Sequence, residues 1–248
     1  MEKIFLDSEH GKVCAQVSEA GESAVVLAHG YLSDKGSRTN QELAKLLNSA
    51  GISAVSFDVY GHGESEGDVE RLTVSKAVSS MLAAFDLAKS RFGKIGLCGS
   101  SFTGSVTLIA ASKRNPEAIA LKCPVFMPKE LWDWRHGEKG IAEWKNKGYV
   151  ETWGSRWHYE AYEDACGYDM RAVASSLKAP TLVVHGDKDV TVPLSQAENL
   201  VFSLGSEEKR LLEIKGADHF FKDENHFSLM SESIAGWFSG HLLNGGSG

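Results

Sequence analysis

The sequence predicts an α/β fold: a mostly parallel, twisted sheet with helices on both faces and an inserted aromatic-rich cap. Three observations point there. Short apolar runs alternate with longer runs of helical period along most of the chain. Several apolar runs are continuous rather than alternating, as strands covered on both faces require. One stretch, 126–169, breaks the rhythm and gathers Trp132, Trp134, Trp144, Trp153 and Trp157, five of the six tryptophans. A length of 248 residues suits one such domain with an insertion.

Taken in order, Ile4–Leu6 and Lys12–Val17 read as an opening hairpin that turns near His10 and Gly11. Ala24–Ala28 is an unbroken apolar strand. Gln41–Leu47 sets Leu43, Ala44, Leu46 and Leu47 at helical spacing, and Gly51 stops the helix. Ser53–Phe57 is the next strand. Thr73–Arg91 is a long amphipathic helix whose apolar positions include Val74, Ala77, Val78, Met81 and Phe85. A strand at Lys94–Leu97, a helix at Ser105–Lys113 and a strand at Ala118–Cys123 follow. Thr181–His185 and Leu211–Ile214 complete the sheet, with helices at Leu194–Ser203 and roughly His226–Leu243. The pattern predicts a core built from 1–125 and 170–243. A cap of mostly short helices (126–169) lies over the sheet's carboxyl edge, and 244–248 is a flexible tail. No internal repeat is visible.

Composition narrows the function. Hydrophobic residues make up 42% and charged residues 24%, as in ordinary globular domains. A net charge of −7 argues against nucleic acid as a partner, which asks for a basic face. Cys14, Cys98, Cys123 and Cys166 are widely spaced and form no CxxC pair, so neither a zinc site nor a disulfide framework is expected. No apolar run approaches the roughly 18 residues of a membrane span. Met1–Gly11 has no apolar core of a signal peptide, so a cytoplasmic location is expected. The chain is expected to work as a monomer or homodimer.

The chemistry starts at Cys98-Gly99-Ser100-Ser101-Phe102-Thr103-Gly104. A small–x–Ser–x–small pattern between a strand and a helix marks a nucleophile elbow, whose tight turn tolerates only small residues two before and two after the serine. With Ser101 as nucleophile those places hold Gly99 and Thr103. With Ser100 they hold Cys98 and Phe102, and Phe102 does not fit. Thr103 stands where the strict pattern has glycine. A serine hydroxyl needs a base, and the base needs an orienting carboxylate, in the chain order Ser, acid, His. Two later strand ends supply them. His185-Gly-Asp187-Lys-Asp189-Val-Thr-Val-Pro193 offers two acids, and Gly216-Ala-Asp-His219-Phe offers the imidazole.

With these motifs the chain resembles the α/β-hydrolase superfamily, in particular small serine carboxylesterases of the feruloyl/cinnamoyl-esterase type. His29-Gly30-Tyr31 is similar to that family's oxyanion segment. Asp58-Val-Tyr-Gly61-His62-Gly63-Glu64-Ser65 is similar to its glycine loop. The acid loop pattern, His-Gly-x-x-Asp, selects Asp189 over Asp187. The resemblance implies an α/β-hydrolase fold and cofactor-free hydrolysis of a small-molecule ester. Ser101 would be the nucleophile, His219 the base and Asp189 the orienting acid. The backbone N–H groups of Tyr31 and Phe102 would hold the oxyanion.

Plainer readings stand beside these. The cap's rings can glue a lid to the core as readily as they line a pocket, although Trp132, Trp134, Trp144, Trp153 and Trp157 are the candidate substrate contacts. His29 and His62 read as structural, tying loops through ring-nitrogen hydrogen bonds. Asp58 reads as the anchor of its glycine loop. His136, His158 and His226 read as solvated. Arg135, Lys139 and Arg156 could meet an acidic substrate but suit a charged surface. A metal on His185, Asp187 and Asp189 is conceivable, and nothing demands one. A non-catalytic ligand-binding protein on the same scaffold is the alternative class. Acyl transfer, peptide cleavage and C–C cleavage would use the same triad.

Overall fold

β1 (Glu2–Ser8) and β2 (Gly11–Ser18) form the expected hairpin, closing at the Ser8–Gly11 pair. β3 (Ser23–Ala28) is buried at every position, as its unbroken apolar run requires. α1 (Arg38–Ser49) starts where the Ser37 hydroxyl accepts the Asn40 N–H. β4 (Ser53–Phe57) is followed by α2 (Val74–Arg91), which Thr73 caps and which carries Lys89 and Arg91 in its last turn, where the helix dipole favours cations. β5 (Lys94–Ser100), α3 (Thr103–Arg114) and β6 (Ala118–Lys122) come next. The computed structural model describes residues 1–243, so the expected tail at 244–248 lies outside the described residues.

The aromatic-rich stretch differs from the expected set of short helices. It contains α4 (Pro128–Lys147), kinked at Gly137 with φ 64°, and a hairpin of β7 (Tyr149–Thr152) and β8 (Ser155–His158). α5 (Glu160–Cys166) follows. The hairpin turns on Trp153 and Gly154, with φ 49° and 78°. Two left-handed residues are what a two-residue turn between twisted strands needs. The usual signal for it is Asn-Gly, and a tryptophan in the first place hides it. Trp157 of this segment packs on Tyr31 and Phe102, the residues beyond β3 and β5, so the segment stands above the carboxyl ends of those strands.

The chain then continues through α6 (Met170–Ser176), β9 (Thr181–Gly186), α7 (Leu194–Ser203), β10 (Lys209–Ile214) and α8 (Glu224–Leu242). α6 has no counterpart in the sequence reading. It is two turns long, too short for a clear period. The eight-stranded sheet runs β1-β2-β4-β3-β5-β6-β9-β10. β2 is antiparallel to β1 and β4, and the rest pair in parallel. One core packs α2, α3, α6 and α7 on one face, and a second packs α1 and α8 on the other. Each fully buried Leu or Phe there contributes about 1.5–3 kcal/mol. These layers hold the ends of β5, β9 and β10 on one edge, where ligands of parallel sheets bind. Among the described residues no helix is long and apolar enough to cross a membrane.

Candidate active site

Ser101 occupies the sharp turn between β5 and α3 with φ 55°, a left-handed conformation that costs a non-glycine residue about 1–3 kcal/mol. Hydrogen bonds over-determine it. Its N–H donates to the Lys122 carbonyl at 2.9 Å, and its own carbonyl accepts from Gly104 and Val125, each at 2.9 Å. Gly99 is obligatory: a Cβ there would lie 2.1 Å from Thr107 Oγ1 and 2.6 Å from the Thr103 carbonyl oxygen. Thr103, the departure from the strict pattern, fits without strain. Its hydroxyl accepts the Ser100 N–H and donates to the Ser100 carbonyl, both at 2.9 Å.

The loops after β9 and β10 bring the other two expected residues to Ser101. His219 Nε2 lies 2.9 Å from Ser101 Oγ, and His219 Nδ1 lies 2.6 Å from Asp189 Oδ2. Asp189 Oδ1 accepts the N–H groups of Thr191 at 2.8 Å and Val192 at 2.9 Å, which locks the carboxylate's orientation. Oδ2 also lies 3.3 Å from His185 Nε2. Burial opposes ionisation of Asp189, but the hydrogen bonds from His185 and His219 outweigh it and hold the carboxyl well below the usual carboxylate range. A carboxylate on Nδ1 assigns the proton to that nitrogen and leaves Nε2 free to accept. Asp187 turns elsewhere. It accepts the Gly216 N–H at 2.6 Å and so ties the acid loop to the histidine loop. The conceivable His185–Asp187–Asp189 metal grouping is therefore not assembled.

The segment expected to supply the oxyanion donors passes against Ser101, since a Cβ on Gly30 would lie 3.4 Å from Ser101 Cβ. Among the described residues neither the Tyr31 nor the Phe102 N–H has an acceptor. His29 supports this segment by donating from Nδ1 to the Gly30 carbonyl at 2.7 Å and accepting the Val59 N–H at 3.0 Å on Nε2. Burial pushes its pKa down to about 4, so it stays neutral. His62 accepts the Leu32 N–H at 3.2 Å. Asp58 accepts the N–H groups of Lys35 at 2.7 Å and Glu64 at 2.9 Å. Burial pushes the Cys123 thiol, close to Asp189 and His219, up to about 12, which keeps it protonated.

A cavity of about 360 Å³ opens above Ser101, walled by Trp132, Trp153, Trp157, Phe102 and Leu131. Two of the five candidate tryptophans are elsewhere. Trp134 is 59% exposed, because two residues along α4 from Trp132 is more than half a turn around the helix. Trp144 is buried behind the wall and donates from Nε1 to the Trp157 carbonyl at 2.9 Å. His136, expected in solvent, is half-buried and stacks on Trp132. Arg135 lies over Trp153, Arg156 pairs with Glu70 and Glu151, and Lys139 with Glu143; none lines the cavity. A second cavity, unforeseen, meets the first at Ser101 and His219, and the buried Lys122 lines it. The one signal for it is a lysine inside the otherwise apolar run Ala118–Cys123.

The chain is similar to known proteins in sequence and in fold. The pattern of the Hydrolase_4 family (serine aminopeptidase, S33) matches residues 20–157. A monoacylglycerol lipase of Mycolicibacterium smegmatis is 36% identical over 88% of each chain. The mitochondrial palmitoyl-protein thioesterase ABHD10 of Bos taurus is 25% identical over 85% of this chain and 71% of its own. In three dimensions, Est1E from Butyrivibrio proteoclasticus with bound ferulic acid superposes with a TM-score of 0.87 at 21% identity, covering 97% of this chain and all of that one. The fold is theirs, and the sequence match spans more than half of the chain. This chain therefore belongs to the Hydrolase_4 (serine aminopeptidase, S33) family and is a carboxylesterase-like α/β-hydrolase.

Proposed function

We propose that the chain is a serine carboxylesterase that cleaves small to medium apolar or aromatic acyl esters through Ser101, His219, Asp189 and an acyl-enzyme. One observation carries the reading: the unbroken relay of 2.9 Å and 2.6 Å from Ser101 Oγ through His219 to Asp189. Ser101 Oγ attacks the ester carbonyl carbon while its proton passes to His219 Nε2. The carbonyl oxygen becomes an oxyanion between the Tyr31 and Phe102 N–H groups, each such donor contributing about 2.7–4 kcal/mol. The C–O bond to the alcohol breaks, and the leaving oxygen takes the proton from Nε2. Water then attacks the acyl group on Ser101, gives its proton to His219, and the acid departs as Ser101 regains a proton. Asp189 remains ionised throughout and stabilises the imidazolium.

The cavity supports the acyl class. Its 360 Å³ sits near the low end of ligand sites, which span about 300–1,000 Å³. Its wall of Trp132, Trp153, Trp157 and Phe102 favours an apolar or aromatic acyl group. A thioester or a monoacylglycerol, the substrates named for two relatives, would follow the same steps. In the test, Ser101→Ala should lower hydrolysis of p-nitrophenyl butyrate by about a thousandfold or more while the fold persists. Undiminished activity in a folded variant ends the reading. A panel of butyryl, palmitoyl and hydroxycinnamoyl esters then ranks the acyl groups, and a preference for palmitoyl would contradict the size assigned above.

A further inference from the structure

Ser101 stands at the seam of two lobes, the second more polar than the first. The second, about 330 Å³, opens between α1 and α8 and shares Tyr31, Leu32, Ser101, His219 and Phe220 with the first. Its remaining walls bring two cations, Arg38 and Lys122, together with Ser37, Thr39 and Asn40, and no carboxylate lines it among the described residues. Arg38 already pairs with Glu224 and lies 3.8 Å over the Phe227 ring. Lys122 Nζ lies 5.2 Å over the Phe221 ring and has no carboxylate in contact among the described residues. It ends β6 opposite Ser100 and is 6% exposed. Of its three ammonium N–H groups, one donates to the His219 carbonyl at 2.9 Å. Burial pushes its pKa down, while Asp189 and Asp218 act the other way without contact. A buried ammonium without a counter-ion is costly. The start of α1 adds the N–H groups of Arg38 and Thr39, which have no acceptor among the described residues. A helix amino terminus also favours negative charge.

We infer that this polar lobe receives the leaving group, and that the leaving group it selects carries a carboxylate held by Lys122 against the start of α1. The inference rests on the esterase reading above. It assigns the apolar lobe to the acyl group, so the alcohol must lie on the other side of Ser101. His219, which protonates the leaving oxygen, lines both lobes. The carboxylate would meet the free Lys122 N–H groups and supply the charge that the lobe lacks.

The test uses two esters with one acyl group and near-equal leaving-group shape: O-butyryl glycolate, charged, and O-butyryl glycolamide, neutral. A charge-assisted contact contributes about tenfold. The wild type should favour the glycolate ester by at least that factor in kcat/KM, and Lys122→Met should lose the preference. The ratio divides out general damage transmitted through His219. A ratio near one in the wild type, or an unchanged ratio in the variant, overturns the inference. If the variant fails to fold, wild-type inhibition decides. Glycolate should compete with p-nitrophenyl butyrate about tenfold more tightly than glycolamide, and equal inhibition overturns the inference. Faster turnover of glyceryl monobutyrate than of the glycolate ester also overturns it, in favour of a polyol site. A flat ratio with Ser101→Ala inactive sinks the charge inference alone. Retained Ser101→Ala activity sinks both readings.

Discussion

Replacing Asp189 with asparagine changes one atom's chemistry at the heart of the proposed relay. Oδ1 stays an oxygen, because Thr191 and Val192 each aim an N–H at it, at 2.8 and 2.9 Å. The new NH₂ must therefore stand where Oδ2 was, facing His219 Nδ1 at 2.6 Å and His185 Nε2 at 3.3 Å. A donor there forces the His219 proton onto Nε2, so that it points at Ser101 Oγ and the base is lost. The same change in the Ser-His-Asp template lowers kcat by about 10⁴, equivalent to about 5.4 kcal/mol at 1.36 per decade. Asp187→Asn is the internal control. Its amide oxygen can still accept the Gly216 N–H, so kcat should stay within about threefold. Initial rates on p-nitrophenyl butyrate, with melting curves to confirm folding, measure both. A folded Asp189→Asn within tenfold of the wild type, or an equal loss in Asp187→Asn, refutes the reasoning.

Three further outcomes follow from the same contacts. His29 stays neutral in the fold down to about pH 4, while the unfolded chain binds its proton near the ordinary 6.5. The unfolded state thus binds more protons between those values, and stability should fall as pH drops through that window. Urea midpoints at pH 7, 5.5 and 4.5 should show a shallower slope in His29→Gln, and identical slopes contradict this. Trp144→Ala removes a fully buried ring and its hydrogen bond to the Trp157 carbonyl, costing about 3–5 kcal/mol in urea unfolding; a loss below 1 kcal/mol contradicts the packing. Gly99→Ala drives a Cβ to 2.1 Å from Thr107 Oγ1 and displaces the elbow, so kcat should drop at least about a hundredfold; activity near wild type contradicts the steric reading.

Most of what positions the site was legible because it is local. Gly99, Ser101 and Thr103 announce a tight turn through size alone. The acid and histidine announce themselves at strand ends, and the continuous apolar runs announce buried strands. Choosing between Asp187 and Asp189 needed the loop pattern, since spacing leaves both within reach. The cap was least legible. Its hairpin turns on Trp153-Gly154, where tryptophan is an uncommon left-handed residue. Which rings line the cavity depends on the phase of α4, and Trp132 and Trp134 differ only in that phase. Lys122 was hidden for the opposite reason: it sits within an apolar run and reads as an ordinary strand-end lysine, and its role depends on loops far along the chain.

The reactivity of Ser101 itself can be read directly with a fluorophosphonate, which phosphonylates an activated serine and leaves ordinary hydroxyls alone. Peptide mass spectrometry after labelling should find one adduct, on Ser101, in the wild type, and none in His219→Ala. No adduct on Ser101, or equal labelling without the imidazole, would mean that the hydroxyl is not activated by His219 and that the proposed chemistry is wrong.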